Sequence, residues 1–72
     1  MNLYDKYKYS GWDQLWSDDS MAVVLRSDGD KQYTVIVDDG RDCKQHKIDG
    51  LSDALDYWNT CISKHLRIGN EV

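Results

Sequence analysis

One stretch constrains this chain more than any other: Leu51 to Leu66, LSDALDYWNTCISKHL. Its apolar residues fall at Leu51, Ala54, Leu55, Trp58, Cys61, Ile62, His65 and Leu66, the three-and-four spacing of a single helix face. Ser52, Asp53, Asp56, Asn59, Ser63, Lys64 and Arg67 occupy the opposite face. The spacing predicts a helix over 51–66. Ser52 is its expected N-cap, with Asp49 as the alternative, and Gly69 its expected C-terminal stop. Asp53 and Asp56 suit the positive helix start, while Lys64, His65 and Arg67 suit the negative end. One amphipathic helix does not fold alone, so the residues before it must supply the surface that it covers.

Those residues read as short strands and turns. MAVVLRS at 21–27 is rich in β-branched residues and predicts a strand, with Met21, Val23 and Leu25 on one face and Ala22, Val24 and Arg26 on the other. An apolar run on both faces predicts a central strand, covered from both sides. Asp28-Gly29-Asp30 reads as a hairpin turn. KQYTVIVD at 31–38 is the second strand, with Tyr33, Val35 and Val37 opposite Gln32, Thr34 and Ile36. Asp38-Asp39-Gly40-Arg41 is the second turn. DCKQHKI at 42–48 predicts a third strand at the sheet edge, where Lys44 and Lys47 oppose edge-to-edge pairing. Before these strands, SGWDQLWS at 10–17 predicts a short helix near 11–17. Ser10 would cap it, and Trp12, Leu15 and Trp16 would share one face. Residues 1–10 read as irregular or as an extra strand, although Leu3 and Tyr7 also suit a helix. The expectation is one α+β domain over 1–72: a short N-terminal helix, a three-stranded antiparallel meander, and a C-terminal amphipathic helix packed on the sheet.

Seventy-two residues form a small core, which leaves roughly 3–5 kcal/mol of net stability at best. Association with a partner or with a second copy would add to that. Two cysteines, Cys43 and Cys61, are too few for a disulfide framework. The opening MNLYDKYKYS lacks the apolar run of a signal peptide, and no segment approaches the ~20 apolar residues of a membrane span. The expectation is a complete cytoplasmic gene product with reduced thiols and no cofactor.

Three kinds of chemistry are tested by the residues. Cys43-x2-His46 and Cys61-x3-His65 together hold the ligand types of a zinc site. However, Cys43 and His46 fall on opposite faces of a strand, which argues against a shared ion. Cys–His catalysis needs an accessible thiolate in an electropositive setting. Cys61 lies on an apolar stripe and Cys43 beside Asp42, so no enzymatic activity is expected. A calcium loop beginning at Asp28 would need Gly and Glu where Tyr33 and Asp39 stand. No metal site is expected.

Charge carries more information. Twelve of the thirteen acidic residues are aspartate, and residues 13–56 hold eleven of them against five basic residues, a net charge of −6 within a chain total of −4. Such a surface repels nucleic acid, whose binding depends on phosphate contact. Direct nucleic-acid binding is therefore not expected, despite Lys6 and Lys8 beside the aromatic Tyr7, Tyr9, Trp12 and Trp16. In a meander, Asp18, Asp19, Asp38, Asp39 and Asp42 share one end of the sheet. Asp28, Asp30, Asp49, Asp53 and Asp56 share the other, about 23 Å away for strands of about seven residues. Two negative groups at that separation have the character of a phosphate backbone. Turns also collect aspartate for their own geometry.

In its small size, its acidity and its wealth of Trp, Tyr and Asp, the chain resembles small phage-encoded proteins that disable host factors, including DNA mimics and inhibitors of CRISPR effectors. The resemblance implies a non-enzymatic inhibitor in the host cytoplasm and assigns no individual residue. The placement of the ten aspartates leads to the expectation that they are what occupies a basic, nucleic-acid-binding surface of a host protein. A different reading is an interaction module that binds a partner or itself, as a homodimer, through Tyr4, Tyr7, Tyr9, Trp12 and Trp16.

Overall fold

The structure, a computed structural model, describes residues 3–70. It begins with a short helix, α1 (Leu3–Tyr7), followed by four strands, β1 (Gln14–Ser17), β2 (Ala22–Gly29), β3 (Gln32–Asp38) and β4 (Cys43–Asp49), and it ends in the helix α2 (Leu51–Asn70). The strands form one antiparallel sheet in sequence order, β1-β2-β3-β4. The class is α+β, with the long helix packed on the sheet as its stripe requires. No helix among the described residues is long and apolar enough to cross a membrane.

The sheet has four strands where the sequence predicts three, and the difference lies at 10–17. The short helix is at Leu3–Tyr7, so the described part of 1–10, residues 3–10, is neither wholly irregular nor a strand. The second half of the expected 11–17 helix is instead β1, paired as Gln14↔Leu25, Leu15↔Val24, Trp16↔Val23 and Ser17↔Ala22. Ser10 does not cap a helix start. Its Oγ–H donates to the carbonyl oxygen of Tyr7 at 2.7 Å and closes the end of α1. Trp12, Leu15 and Trp16 then cannot share a face. Leu15 packs with Tyr7, Ala22, Val24 and Ile36, whereas Trp16 packs on the other side with Val23, Leu25 and Val35. Three apolar residues at helical spacing are a weak signal. Adding a strand to β2 satisfies the open backbone edge of the most buried segment in the chain.

β2 is covered on both faces, as its unbroken apolar run predicts: Ala22, Val23, Val24 and Leu25 are fully buried. Alternation along β2 and β3 sorts the core into two layers. Met21, Val23, Leu25 and Val35 meet Ala54 and Ile62 of α2, with Leu55, Tyr57, Trp58 and Cys61 packed around them. Ala22, Val24 and Ile36 meet Tyr7 and Leu3 of α1. Trp58 settles its polar atom by donating from Nε1 to the Val23 carbonyl at 2.9 Å. Leu51 and Leu66, at the two margins of the predicted stripe, remain exposed.

The expected ends of α2 are corrected. Neither Ser52 nor Asp49 is the N-cap: Gly50 is, since the Ala54 N–H donates to the Gly50 carbonyl at 3.1 Å. Gly50 has a φ of +91°, and its N–H donates to Lys31 O at 2.7 Å, which fastens the helix start to the β2–β3 turn. At the other end the helix continues through Gly69 to Asn70 rather than stopping at the glycine.

Candidate interaction surface

The register places the predicted acidic residues at two ends of the sheet. Ala22↔Asp38 and Asp38↔Cys43 bring the 18–21 and 39–42 loops to one end. Gly29↔Gln32 and Gln32↔Asp49 bring the β2–β3 turn and the start of α2 to the other. Within each end the carboxylates do different work.

Asp38 does not belong to an exposed surface. It is only 3% exposed, facing the α1 side as the alternation of Thr34 and Ile36 requires. Its Oδ2 accepts from Tyr7 Oη at 2.7 Å and from Lys6 Nζ at 2.8 Å, and its Oδ1 accepts from the Gly40 N–H at 2.8 Å. Burial pushes this carboxyl up, but the Lys6 ammonium, the Tyr7 hydroxyl and the Gly40 N–H outweigh burial and hold it at about 2. The same contacts act on their partners in the opposite sense. Burial, then the hydrogen bond to Asp38, drives the Tyr7 phenol well above its ordinary value. The bond to Asp38 raises Lys6.

Asp18 is also engaged internally. Its Oδ1 accepts from the Ser20 and Met21 N–H groups, each at 2.8 Å, and its Oδ2 lies 2.8 Å from His65 Nε2. Burial opposes ionisation, but the two N–H groups and His65 prevail and hold Asp18 at about 2. His65 thus has a tertiary partner in Asp18, and its ring meets Trp16 edge-on at 5.9 Å. Ser20 Oγ lies 3.2 Å from the same His65 nitrogen that faces Asp18. A Ser–His–Asp relay needs the serine and the carboxylate on different ring nitrogens, so this trio is a structural clasp.

Asp39 shapes its own turn. Its Oδ1 accepts from the Arg41 N–H at 2.9 Å and the Asp42 N–H at 2.7 Å, and these two bonds, that of Asp42 first, lower its carboxyl. Asp28 accepts from the Thr34 hydroxyl and lies 3.4 Å from Arg26 Nε, at the point where the β2–β3 register shifts. Asp19 and Asp42 are exposed. Asp30, Asp49, Asp53 and Asp56 are exposed as well, and among the described residues none of these four has an ion-pair partner. The more open acidic group is therefore the one at the α2 start.

The soft ligand types are dispersed. His46 pairs with Val35 on the α2 side, its ring 5.0 Å from that of Tyr57. Cys43 pairs with Asp38 on the other side, its Sγ 3.5 Å from Tyr7 Oη. Cys61 lies in the core margin, where burial raises its thiol. Among the described residues no three His, Cys, Asp or Glu side chains are placed to hold a metal ion. A hollow of about 540 Å³ on the outer side of α2 is an open depression lined by Asp56, Asn59, Thr60, Ser63, Lys64 and Arg67.

The aromatic residues also divide. Tyr7 is core and Trp16 packs against the α2 layer. Tyr9 is 88% exposed, Tyr4 44% and Trp12 37%. Trp12 Nε1 donates to the Lys8 carbonyl at 3.1 Å, and the Lys8 ammonium sits 5.1 Å from the Tyr9 ring centroid.

The clasps on Asp38 and Asp18 are what sequence reading misses, because they join residues 31 to 47 positions apart. The alternation along β3 does carry part of the signal, since it puts Asp38 on the face of Ile36. Comparison with known proteins found no matching family model, no matching curated protein and no matching solved structure.

Proposed function

We infer that this chain is a non-enzymatic binding protein whose exposed aspartates occupy a basic, nucleic-acid-binding surface of a partner protein. The observation that supports this most is the group Asp30, Asp49, Asp53 and Asp56. It is gathered by the Gly50–Lys31 bond and left without cationic partners among the described residues. Asp28 stands beside it, and Asp19, Asp39 and Asp42 form the second patch, roughly 23 Å away along seven-residue strands. Asp18 and Asp38 hold the fold together and are left out of the contact set. Opposite charges across such an interface accelerate encounter and are screened by salt. In this reading the protein is an inhibitor of the kind phages direct at host factors, acting in the host cytoplasm.

The test compares wild type with a variant carrying Asp30→Asn, Asp49→Asn, Asp53→Asn and Asp56→Asn, whose fold is checked by circular dichroism. Each is used to capture proteins from a bacterial lysate, and the captured protein is then assayed for nucleic-acid binding with and without added chain. Basic nucleic-acid-binding proteins retained by wild type, lost by the variant and blocked from nucleic acid are expected. Capture that ignores the four substitutions would defeat the charge reading.

A second reading rests on the exposure of Tyr4, Tyr9 and Trp12 along one short segment. There a partner or a second copy would dock on aromatic surface, and binding would be indifferent to salt and lost on Trp12→Ala.

A further inference from the structure

The two covers on this sheet are unequal. α2 has twenty residues and α1 five. A five-residue helix has no stability in water by itself, so α1 persists only while docked. Its docking rests on few groups. Tyr7 and Leu3 lie on Ala22, Val24 and Ile36. Tyr7 Oη and Lys6 Nζ both bind Asp38 Oδ2, a residue at the far end of β3. Beyond α1 the chain is largely exposed from Tyr9 to Gln14, and Gly11 within it has a φ of +73° and nothing packed where a Cβ would stand.

We propose that α1 is a strap that opens as a unit, pivoting on residues 8–12 ahead of the Asp13 N–H bond to the Leu25 carbonyl, while the sheet and α2 remain folded, and that the Lys6–Tyr7–Asp38 cluster is its latch. Opening bares Ala22, Val24 and Ile36, a second apolar face with a carboxylate at one end. Local opening of this kind follows where few buried contacts hold a segment. The strap is independent of the acidic surface and stands or falls separately from it.

Neighbouring valines report the two faces of β2: Val24 lies under α1 and Val23 under α2. In a Cys43→Ser, Cys61→Ala background, Val24→Cys and Val23→Cys are each alkylated with iodoacetamide under native conditions. Each rate is normalised to that variant's own unfolding free energy. The thiol at 24 is expected to react at least about tenfold faster than the thiol at 23. Adding Lys6→Met, which leaves the sheet untouched, is expected to accelerate the former a further ~threefold or more and leave the latter unchanged. Equal normalised rates at the two positions would overturn the strap, as would acceleration of both alike by Lys6→Met.

Discussion

Asp38 shows how one side chain acquires a role that its neighbours in sequence do not announce. Placed among turn residues, it reads as one more solvated aspartate. Its position on β3 turns it inward, and three donors then make its burial tolerable. Asp38→Asn keeps the volume but removes the charge that Lys6 and Tyr7 hold, and should cost about 2 kcal/mol in urea unfolding. Asp42→Asn, on an exposed residue of the same loop, should change stability by less than about 0.5 kcal/mol. The pH dependence follows from Asp18 and Asp38. Both carboxyls are held at about 2, below the ordinary value of 3.8. The folded state therefore binds fewer protons than the unfolded state in that range. The stabilisation is fully present above about pH 4 and is lost as the pH falls toward 2. Thermal melts from pH 5 to pH 2 should show that loss, and the Asp38→Asn variant should lose less across the same range. The inward turn of Asp38 was legible from the period-two pattern of Thr34, Ile36 and Asp38. Its partners were not, because nothing local links position 38 to positions 6 and 7.

Among the elements, α2 and the two central strands are the ones whose pattern and burial agree. Ala54, Ile62, Val23, Val24, Leu25 and Val35 sit where the periodicities put them. The ends of α2 are less legible, since a cap is chosen by the path of the incoming chain. Ser52 has the better capping chemistry, but Gly50 can take the positive φ with which β4 turns into the helix. Ser52→Ala should thus be nearly neutral, within about 0.5 kcal/mol, where a true cap would lose about 1. Gly50→Ala, forced into a left-handed conformation, should cost about 1–2 kcal/mol. Chemical denaturation of the two variants separates the two caps. β1 is the opposite case. Its four residues carry too few apolar positions to fix a period, and its conformation is set by the backbone edge that β2 offers.

At the scale of the whole molecule, charge and shape are settled by different things. The aspartates are gathered at the sheet ends because turns and helix starts favour them. Which of them remain open is decided by tertiary pairing, which withdraws Asp38 and Asp18 and leaves Asp30, Asp49, Asp53 and Asp56. If those four carry binding, the Kd for a basic partner should rise at least about tenfold between 50 mM and 500 mM salt, as screening shortens the reach of each charge. The four-asparagine variant should show a flatter dependence in the same titration. The sequence by itself determined the α+β class, the burial of β2 on both faces, the parity of β2, β3 and β4 and the crowding of aspartate into turns. These follow from periods and propensities that act over a few neighbouring residues. The tertiary structure alone decided the fourth strand, the seat of α1, the true start of α2 and the two clasps at Asp38 and Asp18. Each of those depends on an open backbone edge, an apolar floor or a paired charge, and these come into being only when distant segments meet.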